Sequence, residues 1–288
     1  MLKGYYNARL RAGFPDSSSP WSVGYSVYKR HLLAQTLTDQ YLLDRFFAGA
    51  PLPAGYGTGI DERCVEYPWV LAQLRGSGCL LLDAGSAMNH DILIGHPIVQ
   101  QKTMHILTLA PEKECFWHKG ISYLFADLRD IPIRNEYYET IVSISTLEHI
   151  GFDNTLYSKQ LSYCEHCPED VTKAMHQLSR VLKPGGLLLF TVPFGASQDC
   201  GSFRQFDRKS LSKAIGEFDG CSRVTETFYL YRKEGWNVAS SEDCAQCRYV
   251  DWVMKPSQER PAQFIRQPDG AVAARAVACV RLEKKRGE

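Results

Sequence analysis

Residues 179–194, Ser-Arg-Val-Leu-Lys-Pro-Gly-Gly-Leu-Leu-Leu-Phe-Thr-Val-Pro-Phe, leave this chain little choice of fold. Lys183 suits the negative end of a helix, Pro184 stops it, and Gly185 and Gly186 supply a turn with positive φ. Leu187 to Val192 is then an apolar run too short for a helix, which predicts a strand covered on both faces. Helix, turn and strand without a spare residue make one α/β unit. Upstream, Glu139-Thr-Ile-Val-Ser-Ile-Ser-Thr-Leu-Glu-His149 reads as a second strand running into polar residues, and Leu80-Leu-Leu-Asp83-Ala-Gly85 as a third that ends in an acid and a glycine. Polar groups therefore gather at strand carboxyl ends, the edge at which open α/β sheets bind ligands.

The remaining periodicity places the other elements. Residues 1–20, rich in Gly, Pro, Ser and Tyr, read as a loose arm. Leu32, Leu33, Leu37, Tyr41, Leu42 and Phe46 recur at helical spacing and predict a helix over Tyr28–Phe47. Pro51–Gly59 reads as a loop and Tyr67–Leu74 as a helix. Strands are expected at Cys79–Asp83, 104–109, 121–125, 140–145 and 187–192, with a helix over Thr172–Leu182 before the fifth. A helix at 208–218 follows, then strands near 223–231 and 272–282, separated by an irregular insert of about 40 residues, long enough to suggest a functional loop. The expected division is an arm and helical cap over 1–75 and a core over 76–288, with a lid insert at 232–270.

Composition narrows the partners. The chain has 288 residues, 44% of them hydrophobic, enough for one large α/β domain with insertions. A formal net charge of +1 argues against a surface built to neutralise phosphates, so no nucleic-acid partner is expected. The run Arg281-Leu-Glu-Lys-Lys-Arg286 reads as a solvated end. No stretch approaches the roughly 20 apolar residues of a membrane span, and the N-terminus lacks the apolar centre of a signal peptide. A cytoplasmic protein without membrane contact is expected.

Five segments, in order, resemble the class I S-adenosylmethionine (SAM) dependent methyltransferases, most closely the "type 11" group of small-molecule enzymes. They are Leu82-Asp-Ala-Gly-Ser86, Leu109-Ala-Pro-Glu112, Phe125-Ala-Asp127-Leu-Arg-Asp130-Ile-Pro132, Ser143-Ile-Ser-Thr-Leu-Glu-His149-Ile and Arg180-Val-Leu-Lys-Pro-Gly-Gly186. The likeness covers about residues 78–195, with a weaker tail to 283. It implies a Rossmann-like, doubly wound, mostly parallel seven-stranded sheet with an antiparallel last strand, whose long connection hangs over the active edge. It implies an enzyme of the EC 2.1.1 class with SAM as cofactor. By the resemblance Asp83, Gly85 and Ser86 form the cofactor loop, Asp127 accepts from the adenine amine beside the backbone and apolar flank of Leu128, and Ser143 lines the strand end near the sulfonium. Asp83 and Asp127 also suit helix capping, which is the plainer reading of each.

Two departures weaken the cofactor site. Ala87 stands where the family usually has a second glycine. Thr108 stands where an acid usually grips the ribose hydroxyls, a loss of about 1 to 3 kcal/mol unless replaced. Glu112, a turn away, is the expected replacement. These departures support the alternative of an inactive methyltransferase-fold scaffold or regulatory protein.

For the chemistry, methyl transfer from a sulfonium is a displacement that needs an aligned nucleophile and, for an alcohol, a base. His149 is the candidate base, because imidazole titrates near neutrality. The Leu-Glu-His motif resembles that of quinone O-methyltransferases, which implies that Glu148 orients His149 or holds a divalent cation; the plainer reading is a structural role for the Glu-His pair. The ten cysteines raise the question of metal. Cys164-Glu-His166-Cys167 and Cys244-Ala-Gln-Cys247 are two short-spaced pairs that together would make a structural zinc site, with His166 as a substitute ligand. The alternative is that these cysteines are inert buried hydrophobes. Arg204 and Phe206, after the fifth strand, are substrate-binding candidates. Tyr231 is another, in an aromatic group with Tyr229, Arg232, Trp236 and Trp252. Rings beside guanidinium suit a saccharide or nucleotide-sugar; the plainer reading is packing of a lid. O-methylation of a small molecule or saccharide is the expected reaction.

Overall fold

The structure is a computed structural model that describes residues 19–250, 253–254, 263–264 and 267–287. The expected arm therefore lies almost wholly outside the described residues, and so does Trp252. The strands are β1 (Leu80–Ala84), β2 (Thr103–Thr108), β3 (Ser122–Phe125), β4 (Tyr138–Ile144), β5 (Leu182–Pro193), β6 (Gln198–Asp199), β7 (Arg204–Gln205), β8 (Cys221–Arg232), β9 (Gly235–Ala239), β10 (Val253–Met254), β11 (Gln263–Phe264) and β12 (Ala276–Lys284). The helices are α1 (Val23–Thr38), α2 (Gln40–Ala48), α3 (Arg63–Gln73), α4 (Asp91–Ile94), α5 (Pro97–Gln100), α6 (Thr155–Ser158), α7 (Val171–Val181), α8 (Arg208–Gly216) and α9 (Ser241–Cys244).

The main sheet runs β3-β2-β1-β4-β5-β12-β8-β9. β1 to β5 pair in parallel. From β1 the chain goes outward through β2 and β3, then returns to build β4 on the other side. This reversal between β1 and β4 opens a crevice at their carboxyl ends. β12 is antiparallel to β5, because Gly185 N–H donates to Lys285 O and Phe194 N–H to Ala276 O. The expected α/β class and the antiparallel last strand are therefore present.

The sheet has eight strands rather than seven. The addition is β9, which forms a hairpin with β8 through the two residues Lys233 and Glu234 inside the span expected to be irregular. Gly235 makes this possible: its φ is +98°, and a Cβ there would lie 2.3 Å from Tyr56 O. The single helix expected at 28–47 is two, α1 and α2. Asp39 breaks it, its carboxylate accepting from Tyr41 and Leu42 N–H at the start of α2. Apolar periodicity cannot register so short a break. The Pro-Gly-Gly turn is not between helix and strand but within β5. The pairing passes from Tyr138↔Leu182 to Thr140↔Leu187, so residues 183–186 form a bulge, with Gly185 at φ +74°.

The chain divides into two compact units. The first holds the described parts of Met1–Ala72, Phe194–Ala196 and Thr227–Val277. Its core includes Tyr25, Phe46, Tyr56, Trp69, Tyr229 and Trp236. Asp61 is buried within it, accepting from Tyr25 Oη and Lys29 Nζ, both at 2.6 Å. The second unit holds Gln73–Pro193, Ser197–Glu226 and Ala278–Glu288 as described, and with them the parallel strands. Among the described residues no helix is long and apolar enough to cross a membrane.

The centre of the second unit is β5, in which Leu188, Leu189, Phe190 and Val192 are all fully buried. Leu189→Ala should cost about 3 kcal/mol, the transfer term plus the cavity left in a strand that cannot collapse. Denaturant unfolding should show a lower midpoint at unchanged slope.

Candidate functional site

The loop after β1 is organised by one carboxylate. Asp83 is fully buried, and its Oδ2 accepts from Met88 N–H at 2.8 Å. Its Oδ1 has no hydrogen-bond partner among the described residues. Burial pushes the carboxyl up to about 7, the N–H groups of Met88 and Ala87 oppose this, and the charge of Glu112 adds to it. Gly85 follows at φ +123°, where a Cβ would lie 2.1 Å from Thr146 Oγ1. Ser86 takes φ +65°, and its buried hydroxyl has no partner among the described residues. Ala87 is half-buried. Ser143 belongs to this loop as a strut: its Oγ donates to Ala84 O at 3.0 Å.

Thr108 closes β2, and its hydroxyl donates to Glu112 Oε1 at 3.2 Å. The turn Leu109-Ala-Pro-Glu thus folds a half-buried acid back onto the strand end, beside the position the resemblance assigns to one. Two residues missed by sequence reasoning tie this region to the β1 loop. Tyr123 Oη donates to Asn89 Oδ1 at 2.8 Å, and Asn89 Nδ2 donates to Glu114 O at 2.9 Å. Their separation along the chain leaves no sequence signal.

Asp127 lies at the expected strand end, half-buried, but another residue already grips it. Arg129 Nη2 donates to Oδ2 at 2.8 Å, and Arg129 Nε to Oδ1 at 3.0 Å. The same guanidinium reaches Glu165 and Asp170, each at 2.9 Å. Asp127 is therefore the first of three carboxylates on one cation, and an adenine amine would have to share it. Leu128 is buried beside it.

Past β4, residues 147–149 make a short 3-10 turn that buries Glu148 and leaves His149 half-buried. His149 Nδ1 lies 2.8 Å from Ser202 O. A carbonyl only accepts, so Nδ1 carries the proton and Nε2 the lone pair. Asn154 Nδ2 donates to His149 O at 2.7 Å and holds the turn from behind. The imidazole sits between the rings of Tyr157 and Phe203, at 5.6 and 5.4 Å between centroids. The hairpin β6–β7 supplies Ser202, Phe203 and Arg204, and Phe206 N–H donates to Pro193 O at the end of β5.

Several expected roles are corrected. Phe206 is fully buried beneath the Arg204 guanidinium, 4.3 Å from ring centroid to Cζ, so it is a support and not a substrate contact. Tyr231 is buried in the first unit, its hydroxyl accepting from Gly59 N–H and donating to Asp269 O. Tyr229 and Trp236 are buried too, and Trp236 Nε1 donates to Ile60 O. No three His, Cys, Asp or Glu side chains among the described residues are grouped to hold a metal, so the zinc site expected from the two cysteine pairs is not supported. Burial pushes the Cys244 thiol up to about 12. Burial raises Cys247 as well, Cys164 and Cys167 are exposed, and His166 pairs with Asp199 at 3.5 Å.

Asp83 gives the site a pH signature. Its folded value lies above the ordinary 3.8, so the folded state holds a proton that the unfolded state has released. Stability from this group is complete below about pH 4 and is lost as pH rises towards 7, at up to about 1.4 kcal/mol per pH unit. Unfolding curves from pH 4.5 to 8 should show Asp83→Asn losing stability less steeply than the parent.

The family described as "Methyltransferase domain" matches residues 102–190. A tRNA (carboxymethyluridine(34)-5-O)-methyltransferase of Arabidopsis thaliana is 29% identical over 152 residues, which span 48% of this chain and 30% of that protein. Thus less than a third of that relative's length is represented here. Among solved structures, the 1,6-didemethyltoxoflavin-N1-methyltransferase of Burkholderia thailandensis aligns at 11% identity and TM-score 0.44, over 91% of this chain and 88% of that one. The N-methyltransferase NodS of Bradyrhizobium japonicum aligns at 14% and 0.41, over 74% and 89%. The match across β2 to β5, together with the strand order described above, supports a class I SAM-dependent methyltransferase domain over that part of the chain.

Proposed function

We propose that the protein transfers a methyl group from SAM to an oxygen of a small acceptor, a saccharide or a phenol-like molecule, with His149 as general base. The observation that carries this reading is the hydrogen bond from His149 Nδ1 to Ser202 O just past β4, which fixes the tautomer in which Nε2 is the basic nitrogen. Bound SAM would supply a methyl group on a positively charged sulfur. The β1 loop suits such a ligand, with a buried acid that has an unused oxygen and with small side chains, and past β2 Glu112 is brought to Thr108 as an acceptor for hydroxyls. His149 takes the acceptor's hydroxyl proton at Nε2 as the oxygen gains its methyl group, and Ser202 stabilises the imidazolium so formed. Glu148 and Asn154 keep the turn in place.

A second reading comes from the Arabidopsis relative, whose name places its chemistry on a carboxymethyluridine of tRNA. A carboxylate is already ionised at neutral pH and needs no base. His149→Gln separates the two. With a hydroxyl acceptor, kcat should fall by about 10²- to 10⁴-fold, while S-adenosylhomocysteine (SAH) binds as before. Near-parental kcat from pH 6 to 9 would reject His149 as base, and turnover of carboxymethyluridine by that variant would favour the second reading.

The cofactor half is tested by calorimetry. Glu112→Ala should weaken SAH by about 5- to 100-fold, the worth of a charged acceptor for two hydroxyls. Adding Thr108→Asp to that variant should restore much of the loss. A parent protein that binds neither SAM nor SAH at millimolar concentration would turn the assignment to the scaffold alternative.

A further inference from the structure

Among the described residues, Arg204 is the one guanidinium at the carboxyl edge of β5 whose donors are unspent. Its Nε is buried without a partner, and no hydrogen bond or ion pair joins the side chain to any described residue. Its guanidinium lies over the face of Phe206, 4.3 Å from the ring centroid. Burial draws its proton affinity down, while the charges of Asp207, Glu169 and Glu148 hold it up from beyond contact distance. Asp207 is already committed to capping α8, accepting from Ser210 N–H at 2.8 Å and from Ser210 Oγ at 2.6 Å. A guanidinium does not deprotonate, so its half-desolvated N–H groups carry a penalty until an acceptor arrives. A planar fork of donors fits a carboxylate or phosphate best.

The surroundings say where that acceptor would sit. Arg204 begins β7, two residues beyond the carbonyl that holds His149, so base and guanidinium are set by one short hairpin. On its other side His149 meets Tyr157, whose ring is 55% exposed, next to Leu156 at 68% and near Leu161 at 89%. Exposed large apolar side chains grouped beside a polar site suit the body of a ligand.

Resting on the reading of this edge as the acceptor site, we propose that the acceptor is a ring-bearing oxyanion, its carboxylate or phosphate held by Arg204 and its ring laid on Tyr157. Arg204 binds and orients this group; His149 remains the base.

Calorimetric titration with benzoate, phenyl phosphate, benzamide and acetate, with and without SAH, tests it. Benzamide keeps the shape of benzoate without its charge, and acetate keeps the charge without the ring. Benzoate or phenyl phosphate should bind at least tenfold more tightly than benzamide, and which of the two is stronger identifies the oxyanion. Arg204→Met, which retains a side chain to cover Phe206, should reduce that preference to within twofold. Tyr157→Ala should erase the advantage of benzoate over acetate. If benzamide binds as well as both anions, or the preference survives Arg204→Met, the anion site is wrong. Equal binding of acetate and benzoate by the parent protein removes the ring. The SAH titration is read separately: its failure overturns the methyltransferase reading, whereas SAH binding without anion preference overturns only this one.

Discussion

In a parallel β-ladder buried on both faces a polar side chain costs free energy unless it finds a partner, which favours placing polar groups at the strand ends. β1, β4 and β5 form such a ladder, and the rest of the second unit follows from it. Ser143 within it is spent on Ala84 O, and Thr191 Oγ1 accepts from Ser145 N–H. Groups that must meet a ligand are left to the carboxyl ends, where Asp83, Thr108 and the Glu148–His149 turn all appear. Chemistry is thus confined to one edge by solvation, before any residue is selected for it.

Two aspartates at that edge show how environment separates groups of the same type. Asp83 has only backbone donors and deep burial, so its charge is costly and its spare oxygen is available. Asp127 lies against Arg129, which also takes Glu165 and Asp170. Lys173 joins the network at Asp170, 2.7 Å away. The half-exposed network adds only modest stability, as such pairs are screened. Its greater effect is geometric, since Glu165 and Asp170 draw the segment after β4 to the loop after β3.

The features legible in the sequence were those encoded over a few consecutive residues. The run Leu187–Val192 marked β5 and Leu80–Ala84 marked β1, while Glu112, a turn past Thr108 in the sequence, accepts from its hydroxyl. What was misread depended on partners far along the chain. Tyr231 and Trp236 look like ligand aromatics until Gly59, Ile60 and Asp269 occupy their polar atoms. The CxxC pairs have metal spacing, yet spacing carries no information about which side chains the fold brings together, and among the described residues no three candidate ligands are grouped. The bonds from Tyr123 to Asn89, Arg129 to Glu165 and His149 to Ser202 O were invisible because side chains reaching across 34 to 53 residues leave no local pattern.

The bulge in β5 has an effect beyond its own turn. While β4 advances from Tyr138 to Thr140, β5 advances from Leu182 to Leu187, so the surplus backbone is stored at one place. From Leu187 onward the register with β4 runs residue for residue to Thr191. The Pro-Gly-Gly segment therefore acts as slack in the chain. A residue gained or lost there during divergence would be taken up before Leu187, without reversing which side chains of β5 face each way. The length of the helix connection can drift in evolution while the alignment of the strand that leads to the catalytic edge stays fixed.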